Sequence, residues 1–384
     1  MKKIIQQLSF SKEINLIFLS TFLFATSMGI NFVTLPSVLS KNGIDAGRVG
    51  IAVTCDILAG IFISFFLSRL SAKLGIMRTL FVSSSLYATA LLLIYFYQNF
   101  YLWLGFCFIM GSSWFTFVII RQSWLNALLT NIQRGIGLGV LSTTISMGFA
   151  FGPIAVNVFG SESYYSFIAS ATLALLAFIT LLFIKIKAVA QVESKRLSFR
   201  DLFKHCPRCF LSKFFLDAQY CFLITFTIIF GKKIGLSAEK SGLLISSYMI
   251  SGLFDVYVGF LLKKYNPYKL INIGFLGSLT LFTAISIYHQ SYLFLLIVYF
   301  ILGVFAALIY VSTLTIINQT YPKEKLVAAN ATLQSIGLIG ALFSSLFGGY
   351  LINIFDYRGF TMNIILGCIF YLTFLVIYEK KFIK

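Results

Sequence analysis

Three aspartates stand inside long apolar runs of this chain: Asp56, Asp217 and Asp255. An ionised side chain at the centre of a bilayer costs about 2.5–3.5 kcal/mol on insertion scales, so an acid that persists there points to a task. Desolvation favours the neutral form of a carboxyl, and one without a nearby cation can load and unload a proton near neutral pH. Asp56 lies beside Cys55 and one turn before Gly60, and Asp255 follows Gly252 by three residues. These two are the first candidates for a coupling proton, against the plainer reading of polar groups hydrogen-bonded between packed helices. Asp217 is the third, although Lys213 stands four residues before it, the spacing of a helix-surface ion pair.

The runs that hold these acids set the fold. The chain has 384 residues, 59% of them hydrophobic, 17% aromatic and only 11% charged, far too apolar for a soluble surface. A bilayer span takes roughly 20 apolar residues. Twelve such stretches fall at 14–36, 48–68, 77–97, 101–124, 136–158, 164–186, 210–231, 240–262, 270–288, 291–314, 328–352 and 359–379. An all-α membrane protein with twelve transmembrane helices follows, with both termini on one side. Met1 to Gly29 has the basic start and apolar run of a signal peptide, but the run continues through Pro36 and is read as the first span.

The two halves of the chain repeat at a spacing of 192 residues. Gly43, Gly50, Gly60 and Gly111 recur as Gly235, Gly242, Gly252 and Gly303, while Lys41, Phe62, Gln98 and Phe108 recur as Lys233, Phe254, Gln290 and Phe300. Duplicated bundles of this kind hold a transport site at the repeat interface. Two pseudo-symmetric six-helix bundles are expected at 1–186 and 210–384, joined by a cytoplasmic linker at 187–209. The acids break the repeat: Asp56 falls opposite Tyr248, and Asp255 opposite Ile63.

Of the 30 Lys and Arg, 24 fall at loops or span ends on the side of the termini and six (Lys41, Arg48, Lys232, Lys233, Lys240 and Arg358) on the other. The positive-inside rule makes the first side cytoplasmic. This dispersal accounts for the net charge of +18 as anchoring against anionic lipid, and no nucleic acid partner is expected. Within the linker, Ser198 to Phe203 opens on a capping serine followed by mixed aromatic and charged residues, the pattern of a short helix lying on the membrane. His205, Cys206 and Cys209 cluster next to it, but a single CxxC without a second pair is a weak metal signal, so free thiols and no metal are expected. Cys55, Cys107, Cys221 and Cys368 fall inside spans, where a thiol behaves as a small apolar group. The sequence has no phosphate-binding glycine loop, HExxH or serine elbow. No enzyme activity and no cofactor are expected; the energy must come from a gradient or from the substrate itself.

Twelve spans in two halves resemble the major facilitator superfamily over essentially the whole chain. After span two that family carries G-x-x-x-D-R-x-G-R. The run here is Ser68 to Gly75, ending at Arg78, with Ala72 in place of the aspartate, and its repeat after span eight begins at Gly259. In span five, Gly148-Phe149-Ala150-Phe151-Gly152-Pro153 resembles the G-x-x-x-G-P signature of the drug:proton antiporter branch, with Val156 and Asn157 where a glycine pair usually follows. Small residues let a neighbouring helix come close and proline bends its own, so Gly148, Gly152, Pro153, Gly75, Arg78 and Gly259 are the hinge and gating candidates. The span-four arginine of that branch is replaced by Cys107, and Arg121, further along near the cytoplasmic end, is expected to anchor the helix.

The resemblance places the cavity walls on spans one, four, seven and ten. There lie Ser27 and Asn31; Ser112, Ser113, Trp114 and Thr116; Gln219 and Tyr220; and Tyr310, Ser312 and Thr313. Neutral and aromatic walls suit a bulky, partly apolar or cationic small molecule better than a phosphorylated or carboxylated one. The expected function is secondary active transport by alternating access: proton-coupled export of an amphipathic compound by a monomer in a bacterial cytoplasmic membrane. A proton-coupled importer of a metabolite or siderophore, and a membrane sensor that transports nothing, are the alternatives.

Overall fold

A computed structural model describes residues 10–97, 99–129, 133–184 and 197–382. Lys2, Lys3, Gln98, Lys185, Lys187, Lys195, Arg196, Lys384 and the first part of the linker, 187–196, lie outside the described residues.

Hydrocarbon offers a backbone no partner, so each span must satisfy its own N–H and C=O groups as a helix. The first six spans are α1 (Lys12–Lys41), α2 (Ala46–Leu74), α3 (Ile76–Phe96), α4 (Phe100–Leu128), α5 (Arg134–Phe159) and α6 (Tyr164–Leu182). A short helix, α7 (Phe199–His205), precedes α8 (Pro207–Lys233), α9 (Ala238–Ile250), α10 (Phe254–Leu261), α11 (Pro267–Ile287), α12 (Tyr292–Thr320), α13 (Lys323–Phe355) and α14 (Tyr357–Phe382). Twelve spans among the described residues are long and apolar enough to cross a membrane. Several helices start at capping residues: the Asn99 carboxamide accepts from the amides of Tyr101 and Leu102 at the start of α4, and the hydroxyls of Ser163, Ser198, Ser237 and Ser291 cap α6, α7, α9 and α12.

Span eight departs from the continuous helix expected over 240–262. It is made of α9 and α10, separated by a 3₁₀ turn at Ser251–Leu253. The Ser251 hydroxyl donates to the Tyr248 carbonyl, and a Cβ on Gly303 of α12 would overlap both groups. The turn falls at this close crossing, beside Gly252, a residue of poor helix propensity, just before Asp255.

The chain separates into two compact units, one of residues 1–38 and 52–192, the other of residues 39–51 and 193–384. In the first, α3 packs against α4 and α6; in the second, α8 lies along α13, α11 along α12 and α9 on α12. The 192-residue repeat reappears as repeated contacts. Gly43 and Gly235 both take positive φ, 72° and 85°, in turns closed by equivalent bonds from Ile44 to Leu39 and from Leu236 to Gly231. A Cβ on Gly111 would overlap the Asp56 carbonyl, as one on Gly303 would overlap that of Tyr248. Phe62 meets Phe108 at 5.9 Å between ring centroids, and their counterparts Phe254 and Phe300 meet at 5.6 Å.

Candidate functional site

Each unit carries its own polar and aromatic cluster. In the first, Asp56 sits half-buried on α2 where Gly111 lets α4 come close. It lies within electrostatic reach of Tyr87, Cys55 and Cys107 but has no hydrogen bond or ion pair among the described residues.

Ser27 and Asn31 are buried and satisfied. The Asn31 carboxamide donates to the Tyr87 hydroxyl at 2.6 Å and accepts from Ser170 at 3.0 Å, while Ser27 donates to the Ser170 carbonyl at 2.8 Å. Tyr87 in turn donates to the Met28 sulfur at 3.1 Å. This network ties α1, α3 and α6 together, a packing role for two residues expected to line the cavity. On α4, Ser113 donates to the Ile109 carbonyl and Thr116 to that of Ser112, so both hydroxyls are turned back on their own helix. Trp114 stays half-buried among rings, 5.5 Å from Phe24 and 5.8 Å from Phe149.

The residue that the sequence left at the margin lies at the centre of this cluster. Arg121 is 3% exposed, with its guanidinium 5.4 Å from the Phe117 ring centroid, 5.7 Å from Phe24 and 5.9 Å from Trp114. Its Nε donates to the Phe117 carbonyl at 3.1 Å, and its Nη1 is buried without a partner. The signal in the sequence was weak, because an arginine near a span end ordinarily extends its head to the interface.

In the second unit a buried cation is paired. Lys213 Nζ lies 3.0 Å from the Asp217 carboxylate and 5.1 Å from the Tyr310 ring centroid. The two residues stand one turn apart on α8, the i, i+4 pairing that their spacing allowed. A Cβ on Gly337 of α13 would overlap the Asp217 carboxylate, so this glycine makes room for the pair. Tyr310 and Tyr220 are half-buried, and Tyr220 lies 6.2 Å from Tyr248 between ring centroids. Thr313 and Ser212 share a hydrogen bond at 2.8 Å, whereas the Gln219 amide and the Ser312 hydroxyl are buried without partners. Asp255 is half-buried at the start of α10, in electrostatic reach of Tyr248 and Tyr310. All six cysteines are unbridged thiols, and no cluster of metal-binding side chains occurs among the described residues. Outside the spans, a hydrogen bond from Cys209 holds the Cys206 thiol below its ordinary value.

The family description "Major Facilitator Superfamily" matches residues 17–231 and 208–382, nearly the whole chain. The chain belongs to the major facilitator superfamily. As a superfamily member it is a membrane transport protein, not an enzyme, and takes a small-molecule substrate. It is 19% identical over 338 residues, 86% of either chain, to YfkF, an uncharacterized MFS-type transporter of Bacillus subtilis (strain 168). Among solved structures, nucleoside transporter NupG superposes with a TM-score of 0.78 at 14% identity, covering 97% of this chain and 99% of NupG. A bacterial homolog of the human lysosomal transporter Spinster, inward-facing and occupied, superposes with a TM-score of 0.73 at 13% identity and covers 94% of each chain. At these identities the likeness is one of fold.

Within this superfamily fold, the span-five glycines are packed on α1. A Cβ on Gly152 would overlap Gly29, and one on Gly148 would lie 2.5 Å from the Ala25 Cβ. Asn157 donates to the Pro153 carbonyl at 3.0 Å, an i, i−4 bond that follows the helix past the proline. Gly75 takes φ 82° between α2 and α3, with Arg78 exposed one turn on, and Gly259 faces open space.

Proposed function

We propose that the protein is a proton-coupled antiporter that exports a small amphipathic compound by alternating access, as a monomer in a bacterial cytoplasmic membrane with both termini in the cytoplasm. Asp56 carries this reading: it is half-buried inside a span and has no hydrogen bond or ion pair among the described residues. A carboxyl so placed exchanges a proton without first breaking a pair, and intramembrane acids of this kind form proton relays in transporters. Asp217 is held by Lys213, which makes it a poorer carrier.

The half-buried rings of Trp114, Tyr220 and Tyr310 suit a substrate with an apolar or aromatic part. The close packing of Gly148 and Gly152 on α1 is in keeping with the antiporter resemblance, since small residues let two helix backbones approach. The excess of Lys and Arg on one side supports the orientation. The likeness to NupG is of fold and carries no nucleoside specificity to this chain.

Extrusion of fluorescent amphipathic dyes from energised cells tests the reading. Dye exclusion that collapses with a protonophore and in Asp56→Asn is expected. Extrusion indifferent to both would overturn proton coupling through Asp56.

A further inference from the structure

We propose that Arg121 docks an anionic group, a carboxylate, sulfonate or phosphate, on the transported compound. This rests on the transport reading above and names the chemistry of its substrate: an amphipathic organic anion. It reverses the preference for a cationic compound read from the neutral walls, because the buried Arg121 is not counted among them.

A guanidinium is ionised at any physiological pH and carries five N–H donors in a planar fork. In Arg121 the Nε donor goes to the Phe117 carbonyl, while Nη1 has neither a protein acceptor nor solvent. No carboxylate lies within salt-bridge reach among the described residues; rings and one backbone carbonyl surround the charge. A helix anchor would look different, because an anchoring arginine runs its aliphatic stem along the helix and leaves its head in water or among lipid phosphates. Here α4 continues seven residues beyond Arg121 to Leu128, about 10 Å of helix, and the head is buried among rings.

Three aromatic faces offset part of the cost of the charge but supply no hydrogen-bond acceptor in the plane of the fork. A bidentate oxyanion supplies both, which converts an uncompensated cation into a pair. The surroundings provide for the rest of such a ligand. Trp114 is half-buried, and it continues through Phe149 to Phe32, at 5.8 and 5.1 Å between centroids, as a row of rings drawn from α1, α4 and α5. An anionic head on Arg121, with an apolar body against this row, would pair the Nη1 donor that the protein leaves unpartnered.

The test is thermal unfolding of the purified full chain in detergent with matched acid and neutral probes: benzoate and benzamide, benzenesulfonate and benzenesulfonamide, phenyl phosphate and phenol. At least one anion is expected to raise Tm in proportion to its concentration while its neutral partner does not. Arg121→Gln should abolish that response. Arg121→Lys, which keeps the charge and loses the fork, should weaken the binding midpoint by about tenfold. Neutral probes that stabilise as well as the acids, an anion response that survives in Arg121→Gln, or no response to any of the three anions would each overturn the proposal. The acid and amide comparison in the unaltered chain needs no variant to fold. It is also read without a proton gradient, so its failure leaves proton coupling standing, and the reverse holds.

Discussion

The two units treat a buried cation in opposite ways. Lys213 has its acid one turn away on the same helix, a glycine on α13 that makes room for the pair, and the Tyr310 ring beneath it. Arg121 has three rings and one backbone carbonyl, and no acid. The repeat does not relate them: Arg121 falls opposite Thr313, and Lys213 and Asp217 fall opposite Thr21 and Ala25. Glycines and aromatics keep the scaffold symmetric, whereas the charges have been placed independently in each half. One unit holds a self-neutralised pair, and the other holds an open cation together with an open acid, Asp56. With Asp56 packed at Gly111, ten residues before Arg121 on α4, the two open charges lie about 15 Å apart along that helix.

The contrast can be broken most strongly by removing each cation. Lys213→Met strands the Asp217 carboxylate and should cost about 3 kcal/mol, the low end for a buried pair because the Asp217 side chain is 24% exposed. Arg121→Met strands nothing and should change stability by less than about 1 kcal/mol in either direction. Unfolding of the two variants in one detergent and denaturant series reads the difference; equal losses would mean that Arg121 has a partner after all.

The glycines give the next largest effect. Gly152→Ala drives a methyl into the Gly29 backbone, which cannot rotate away, and overpacking of this kind costs roughly 1–3 kcal/mol. Gly337→Ala meets the end of the Asp217 side chain, which can swing, and should cost less while parting it from Lys213. Melts of the two alanine variants, alone and combined with Lys213→Met, would sharpen the comparison: Gly337→Ala should lose part of its effect once Lys213 is gone, and Gly152→Ala should not.

The smallest effect belongs to a pair at the surface. Lys233 holds the Asp356 carboxyl below its ordinary value of 3.8, so the contribution of this pair is present above that value and lost as the pH falls below it. With 60% of the Asp356 side chain exposed, Asp356→Asn should cost less than about 1 kcal/mol at neutral pH and nothing in acid.

Much of the scaffold was legible because hydrocarbon imposes a simple rule: about 20 apolar residues make one helix. The Lys213–Asp217 pair was legible for a similar reason, since both partners lie on one helix at a spacing that allows little else. What the sequence hid depends on residues far apart. The break in span eight lies where Gly303, 52 positions away, leaves room for Ser251 and the Tyr248 carbonyl. The satisfaction of Asn31 comes from Tyr87 and Ser170. Arg121 was passed over because its place near a span end suggests an anchor, and only the approach of Phe24 from α1 encloses it.

Proton coupling through an unpaired Asp56 is tested most directly in liposomes loaded with a transported dye or arene anion, comparing gradient-driven accumulation with solute exchange at equal pH. Asp56→Asn should lose accumulation and keep exchange, while Asp217→Asn, where it folds, should keep both. Accumulation that persists in Asp56→Asn, or that vanishes only in Asp217→Asn, would contradict the assignment of the coupling proton to the first unit.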